Sequence, residues 1–154
     1  MISVLFVCLG NICRSPMAEF VLKDMTEKRG ISDKFNIASA ATSDEAVGCR
    51  VHIGTRNKLA QYGISTEGKI AVQLKKSDYE KYDYIIGMEE RNIRDILKIT
   101  DGDKENKVYK MLYFAGGGDI ADPWYTGNFD LTYDDIKRGC EGFLEKVIKT
   151  AAGE

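Results

Sequence analysis

No charge of one sign dominates this 154-residue chain: 22 basic residues stand against 24 acidic, a net of −2. That balance gives no general electrostatic reason to bind nucleic acid or an anionic membrane, and neither is expected as a partner. Long apolar runs are missing as well, and nothing approaches the roughly 18 apolar residues that would cross a bilayer. The opening MISVLFVCLG is apolar but short, without a basic leader or a small-residue cleavage pattern, so a secretory signal is not expected. Cysteine is scarce. Cys8, Cys13, Cys49 and Cys140 are too few and too irregularly spaced for a disulfide scaffold, and free thiols in a reducing cytoplasm are the expectation. Linkers, repeats and low-complexity tracts are absent, and the length suits one domain over residues 1–154.

What is present alternates. ISVLFV (2–7) is a continuous β-branched and aromatic run, the pattern of a strand buried on both faces. Ser15-Pro16 reads as a helix start, with Ser as cap and Met17, Phe20, Val21 and Met25 on one stripe, ending at Lys28-Arg29-Gly30. FNIASAAT (35–42) and YDYIIGM (82–88) read as strands. Residues 51–63, 89–99 and 131–152 read as helices, and KVYKMLYF (107–114) fits either type. Strands alternating with helices predict a three-layer α/β fold, a parallel sheet with helices on both faces. AGGGDIADPWYTGNFD (115–130) is then a loop longer than most connections, the kind that usually carries function. In an open parallel sheet, ligands gather at the carboxyl ends of the strands, where the loop after the first strand would sit.

That loop, VCLGNICRSPMAE (7–19), holds two thiols and a cation where turn residues would serve. Curled inward, the amides of Leu9 to Arg14 and the following helix start would cradle a phosphate-sized dianion. Arg14 would supply two parallel N–H bonds to its oxygens. The same cradle would stabilise a thiolate at Cys8, making it a nucleophile aimed at phosphorus. Gly10 and Asn11 suit left-handed backbone in such a curl. Competing readings fit less well. The glycine and lysine of a nucleotide-binding loop are absent, and the two loop cysteines are separated by four residues rather than two. Zinc on Cys8, Cys13, Cys49 and His52 lacks a C-x-x-C pair. No metal or cofactor is expected.

The run V-C-L-G-N-I-C-R-S-P resembles the signature of the low-molecular-weight protein tyrosine phosphatases. The resemblance continues through SAATS (39–43), YDYIIGMEERNIRDI (82–96) and DPWY (122–125) in the same order. It implies a four-stranded parallel, flavodoxin-like sheet and hydrolysis of phosphotyrosine through a phosphocysteine, with tyrosine-phosphorylated proteins as substrates. It implies Cys8 as nucleophile, Arg14 as phosphate-binding and transition-state residue, and Asp122 as general acid. Ser15 would bond the thiolate, and Asn11 would hold the loop shape with Ser39 among its supports. Leu9, Ile12, Trp124 and Tyr125 would line the aryl pocket. Cys13 would trap oxidised Cys8 as a disulfide. A monomer or weak dimer is expected. Asp119 is the competing acid on sequence grounds alone.

Two departures stand out. The H-x-A-R-Q segment of many relatives reads KIAVQ here, with Lys69 for the His and Val72 for the Arg, so a weaker support of Asn11 is expected. Glu45 stands near the place of an aromatic pocket wall. Among alternatives, an arsenate reductase would need distal cysteines, and residues 50–139 contain none. An arginine phosphatase would tend to carry Thr where Ile12 stands. A non-catalytic phosphate-binding or redox-sensing module would not need Asp122.

Overall fold

The structure, a computed structural model, describes residues 1–151. Strand β1 (Ile2–Cys8) is the centre of a parallel sheet, with β2 (Phe35–Ala41) on one flank. On the other flank lie β3 (Tyr84–Gly87) and then β4 (Val108–Lys110), giving the order β2-β1-β3-β4. The unbroken apolar run has its explanation in two-sided burial. Val4, Phe6 and Cys8 pack into one core cluster, while Leu5 and Val7 pack into the other. Helices α1 (Arg14–Lys28), α2 (Ile53–Ala60) and α6 (Phe129–Ala151) cover the first face. Helices α3 (Asp78–Lys81) and α4 (Glu90–Thr100) cover the second. This is the expected three-layer architecture.

Several local expectations change. The segment 107–114 is both things at once, strand β4 followed by a 3₁₀ turn over Met111–Ala115. That turn presses on α6 so closely that a Cβ at Gly142 would come 1.9 Å from the Phe114 carbonyl oxygen, which explains a glycine inside a helix. The long loop at 115–130 is interrupted by a short helix α5 (Pro123–Thr126), and α6 starts at Phe129 rather than 131. The expected end of that helix at residue 152 lies outside the described residues. Helix α1 begins at Arg14, with no side-chain cap at Cys13. Ser15 does not cap it, because its hydroxyl faces the Cys8 sulfur instead.

Strand order decides where a ligand fits. From β1 the chain crosses to β2 on one side, then returns to β3 on the other, so the loops after β1 and β3 part at their carboxyl ends and open a crevice there. No helix among the described residues is long and apolar enough to cross a membrane.

Candidate active site

Cys8 ends β1 at the crevice, and residues 9–13 wrap around its sulfur. The carbonyls of the loop turn outward: those of Cys8, Leu9 and Ile12 accept from the backbone N–H of Thr42, Ser43 and His52 at 2.8–3.0 Å. The Cys13 carbonyl accepts from the Thr55 hydroxyl at 3.2 Å. Outward carbonyls leave amides free to point inward. The Asn11 and Ser15 N–H groups lie 3.3 and 3.4 Å from Cys8 Sγ, and Ser15 Oγ lies 3.0 Å from it. Asn11 pays a backbone cost to close this ring, at φ 56°, a left-handed conformation that asparagine tolerates better than most residues. Gly10, expected to share that conformation, does not. The reversal is made at a single residue.

Arg14 enters the same ring as the first residue of α1, almost wholly buried. Its Nη1 donates to Glu89 Oε2 at 3.0 Å and to the Ile120 carbonyl at 2.9 Å. Nη2 has only a 3.4 Å contact with Asp122 Oδ2, so this is the edge of the guanidinium left for an incoming anion. A buried guanidinium needs such partners, since desolvating a charge without them costs several kcal/mol (roughly). Asp122 is also tied locally. Its Oδ1 accepts from Trp124 N at 3.1 Å, so it caps α5, and Pro123 at the first helical position favours that turn.

Cys8, Leu9, Gly10, Ile12, Cys13, Arg14, Asp122, Trp124 and Tyr125 line one cleft of 260 Å³, joined by Ser43, Glu45 and Ala46. Asn11, Ser15 and Ser39 lie buried beneath it. All the sequence-derived site residues therefore meet in one place. Asp119 does not line the cleft. It is exposed, and its carboxylate accepts from Glu90 N and Lys110 Nζ. His52 makes its Nδ1 the cap of α2, accepting from Gly54 N at 3.0 Å, and stacks its ring on Phe129. Burial pushes the Cys13 thiol up to about 12, with the neighbouring Cys8 and Asp122 adding to the effect.

Lys69 and Val72, at the places expected to weaken the support beneath Asn11, both take part in it. Val72 contributes through its backbone, its N–H donating to Asn11 Oδ1 at 3.1 Å. Lys69 reaches the Ser39 carbonyl at 2.9 Å and lies 3.5 Å from Glu19 Oε1. Glu19 and Glu89 are the functional side chains that sequence reasoning missed. Glu89 offered one signal, since it follows the carboxyl end of β3 at the crevice. Glu19 offered none beyond being an acid on a helix.

A cysteine cradled by amides, an arginine aimed into the same cleft and an acid on the opposing loop suit phosphoryl transfer, and the comparisons agree. The family model described as low molecular weight phosphotyrosine protein phosphatase matches residues 3–152. YfkJ of Bacillus subtilis, named a low molecular weight protein-tyrosine-phosphatase, is 40% identical over 152 residues, covering 97% of each chain. Its crystal structure superposes with a TM-score of 0.94 at 39% identity, over 97% of this chain and 96% of that one. PtpA of Staphylococcus epidermidis, similarly named, is 35% identical over 98% of this chain and 97% of its own. SP-PTP, a low molecular weight protein tyrosine phosphatase of Streptococcus pyogenes, superposes with a TM-score of 0.86 at 39% identity, over 95% and 93% of the two chains. With a match running from β1 through α6, this chain belongs to the low molecular weight phosphotyrosine protein phosphatase family.

Proposed function

We propose that the protein hydrolyses phosphotyrosine in phosphoproteins through a phosphocysteine at Cys8. The observation that carries this reading is the ring around the sulfur, Asn11 N, Ser15 N and Ser15 Oγ at 3.0–3.4 Å, with Arg14 in the same loop. In the first step the thiolate attacks phosphorus and the P–O bond to the tyrosine breaks. Asp122 gives its proton to the departing phenolate oxygen. The loop amides and Arg14 hold the three non-bridging oxygens, where charge accumulates in the transition state. In the second step a water attacks the phosphocysteine. Asp122, now a carboxylate, takes the water's proton, and the sulfur leaves as thiolate.

Ile12, Trp124 and Tyr125 offer apolar and aromatic contact to a phenyl ring, which favours tyrosine as the phosphate carrier. The one observation favouring phosphoarginine instead is Glu45 on the same cleft. As an exposed carboxylate it is worth only about 0–1 kcal/mol to a guanidinium. Hydrolysis of a chromogenic aryl phosphate without added metal tests the reading. Cys8→Ser should abolish turnover while vanadate or phosphate binding persists. Near-wild-type turnover in that variant overturns the phosphocysteine. Matched phosphotyrosine and phosphoarginine peptides then compare kcat/KM, and a preference for arginine overturns the substrate while leaving the nucleophile.

A further inference from the structure

Lys69 lies beneath the phosphate loop, its side chain only 13% exposed. Its ammonium donates to the Ser39 carbonyl at 2.9 Å and sits 3.5 Å from Glu19 Oε1. Glu19, itself buried, holds Lys23 Nζ on its other oxygen at 2.6 Å and accepts from the Ser39 hydroxyl at 2.5 Å. From Ser39 a chain of hydrogen bonds runs through Asn11 and Ser15 to the Cys8 sulfur. The direction of every link follows from which atoms can donate.

The Val72 N–H can only donate, so Asn11 turns Oδ1 toward it and Nδ2 toward the two serines. Ser39 Oγ receives one Nδ2 proton at 2.9 Å and sends its own to Glu19. Ser15 Oγ receives the other at 2.7 Å, which leaves its single proton for Cys8 Sγ at 3.0 Å, the alternative acceptor at Ala40 lying 3.4 Å away. The chain thus runs from the Glu19 carboxyl group at one end to the Cys8 sulfur at the other, each placed to accept.

A buried carboxylate needs cations and donors close by to offset its desolvation. The groups facing Glu19 are Lys23 on its own helix, Lys69 from the segment after α2, Tyr82 from the end of α3 and the Ser39 hydroxyl on β2. Lys69 therefore ties Ser39 twice, its carbonyl directly and its hydroxyl through Glu19, and that hydroxyl in turn accepts from Asn11 Nδ2. Burial pulls the Lys69 ammonium down from its ordinary value, and Glu19 opposes that pull.

We propose that Lys69 is a positioning residue for the nucleophile, holding Glu19 and Ser39 in place so that the chain through Asn11 and Ser15 stays set around the Cys8 sulfur. This rests on Cys8 being the nucleophile. The test compares Lys69→Met, which removes the charge, with Lys69→Arg, which restores a cation. Two readouts are taken: the rate of Cys8 alkylation by iodoacetamide at mildly acid pH, and kcat and KM on an aryl phosphate. Lys69→Met should slow alkylation and lower kcat together by about tenfold, the worth of one charge-assisted hydrogen bond, with KM little changed. Lys69→Arg should recover most of both. A Met variant that melts earlier yet alkylates and turns over like wild type overturns the proposal. Should Lys69→Met fail to fold, Ser39→Ala decides by cutting the same chain at its middle: slowed alkylation supports the proposal and wild-type alkylation overturns it. Lys69-dependent alkylation in a protein that hydrolyses no phosphate ester would instead overturn the phosphatase reading alone.

Discussion

The phosphate loop at residues 8–15 and the acid-bearing segment at 116–130 meet at one cleft but are held in opposite ways. Cys8, Asn11, Arg14 and Ser15 are each no more than 3% exposed, and every polar side chain among them has a partner. Across the cleft Trp124 is 59% and Tyr125 77% exposed, and Gly116, Gly117 and Gly118 run in succession at positive φ. The first region gives up conformational freedom before substrate arrives, which is what stabilising a spread phosphoryl charge requires. The second keeps few buried contacts, the mark of a segment with low local stability. Preorganisation is concentrated where charge develops, and adaptability where leaving groups differ.

The largest effect expected from breaking the adaptable side is loss of its acid. Asp122→Asn should cost about 10²–10⁴-fold in kcat, most for poor leaving groups, because a general acid matters in proportion to the basicity of the departing oxygen. Asp119→Asn should leave turnover near wild type, since that carboxylate is engaged by Lys110 and the α4 backbone away from the cleft. A larger loss at Asp119 than at Asp122 would reverse the assignment. Steady-state rates on aryl phosphates of graded phenol acidity read both.

A smaller effect separates ring contact from chemistry. Trp124→Ala should raise KM for aryl phosphates about 2–10-fold, the range of an aromatic contact, with kcat little changed. A fall in kcat instead would mean that Trp124, whose N–H is capped by Asp122, holds the acid rather than the substrate.

The smallest effect sharpens the contrast inside the phosphate loop. Cys13 is pushed up to about 12 by burial, so at neutral pH it is a protonated thiol beside Cys8, and alkylation should label Cys8 and spare Cys13. The same shift has a stability consequence. In the unfolded chain Cys13 ionises near the ordinary 9.0, whereas the native state keeps its proton to about 12. Its contribution is therefore whole below pH 9 and is lost as pH rises from 9 to 12. Denaturant titrations across that window should show a shallower decline for Cys13→Ser than for wild type, and an identical slope would contradict it.

Much of this was legible in the chain. Two-sided apolar runs announced β1 and β3, and a glycine stop marked the end of α1, whereas α2 spans Ile53–Ala60 within the expected 51–63. The spacing from Cys8 to Arg14 and the Asp122-Pro123 pair pointed to the chemistry. What escaped was whatever depended on contact across the fold. β4 is three residues long, too short for periodicity to register, and exists because β3 offers it an edge. The loop at 115–130 conceals α5, because one helical turn capped by Asp122 has no periodic signature either. Lys69 and Val72 looked like losses when read against relatives. In the fold the Val72 N–H reaches Asn11 and the Lys69 ammonium reaches the Ser39 carbonyl, contacts that no reading of the side chains alone could give.

By itself the sequence determined the chemistry of the parts: a thiol at a strand end, donors after it, a cation opening a helix, an acid before a proline. These are local, since a run of a few residues dictates whether amides converge and whether a helix begins. Only the tertiary structure decided the partners. Arg14 meets Glu89 across 75 positions and Asp122 across 108, and Asn11 meets Val72 across 61. Those pairings follow from strand order, because β3 and not β2 carries Glu89 to the open side of β1. A hydrogen bond formed over a few ångströms carries no trace in residues so far apart along the chain. It exists only once the core has closed on both faces of the sheet and brought the strand ends together.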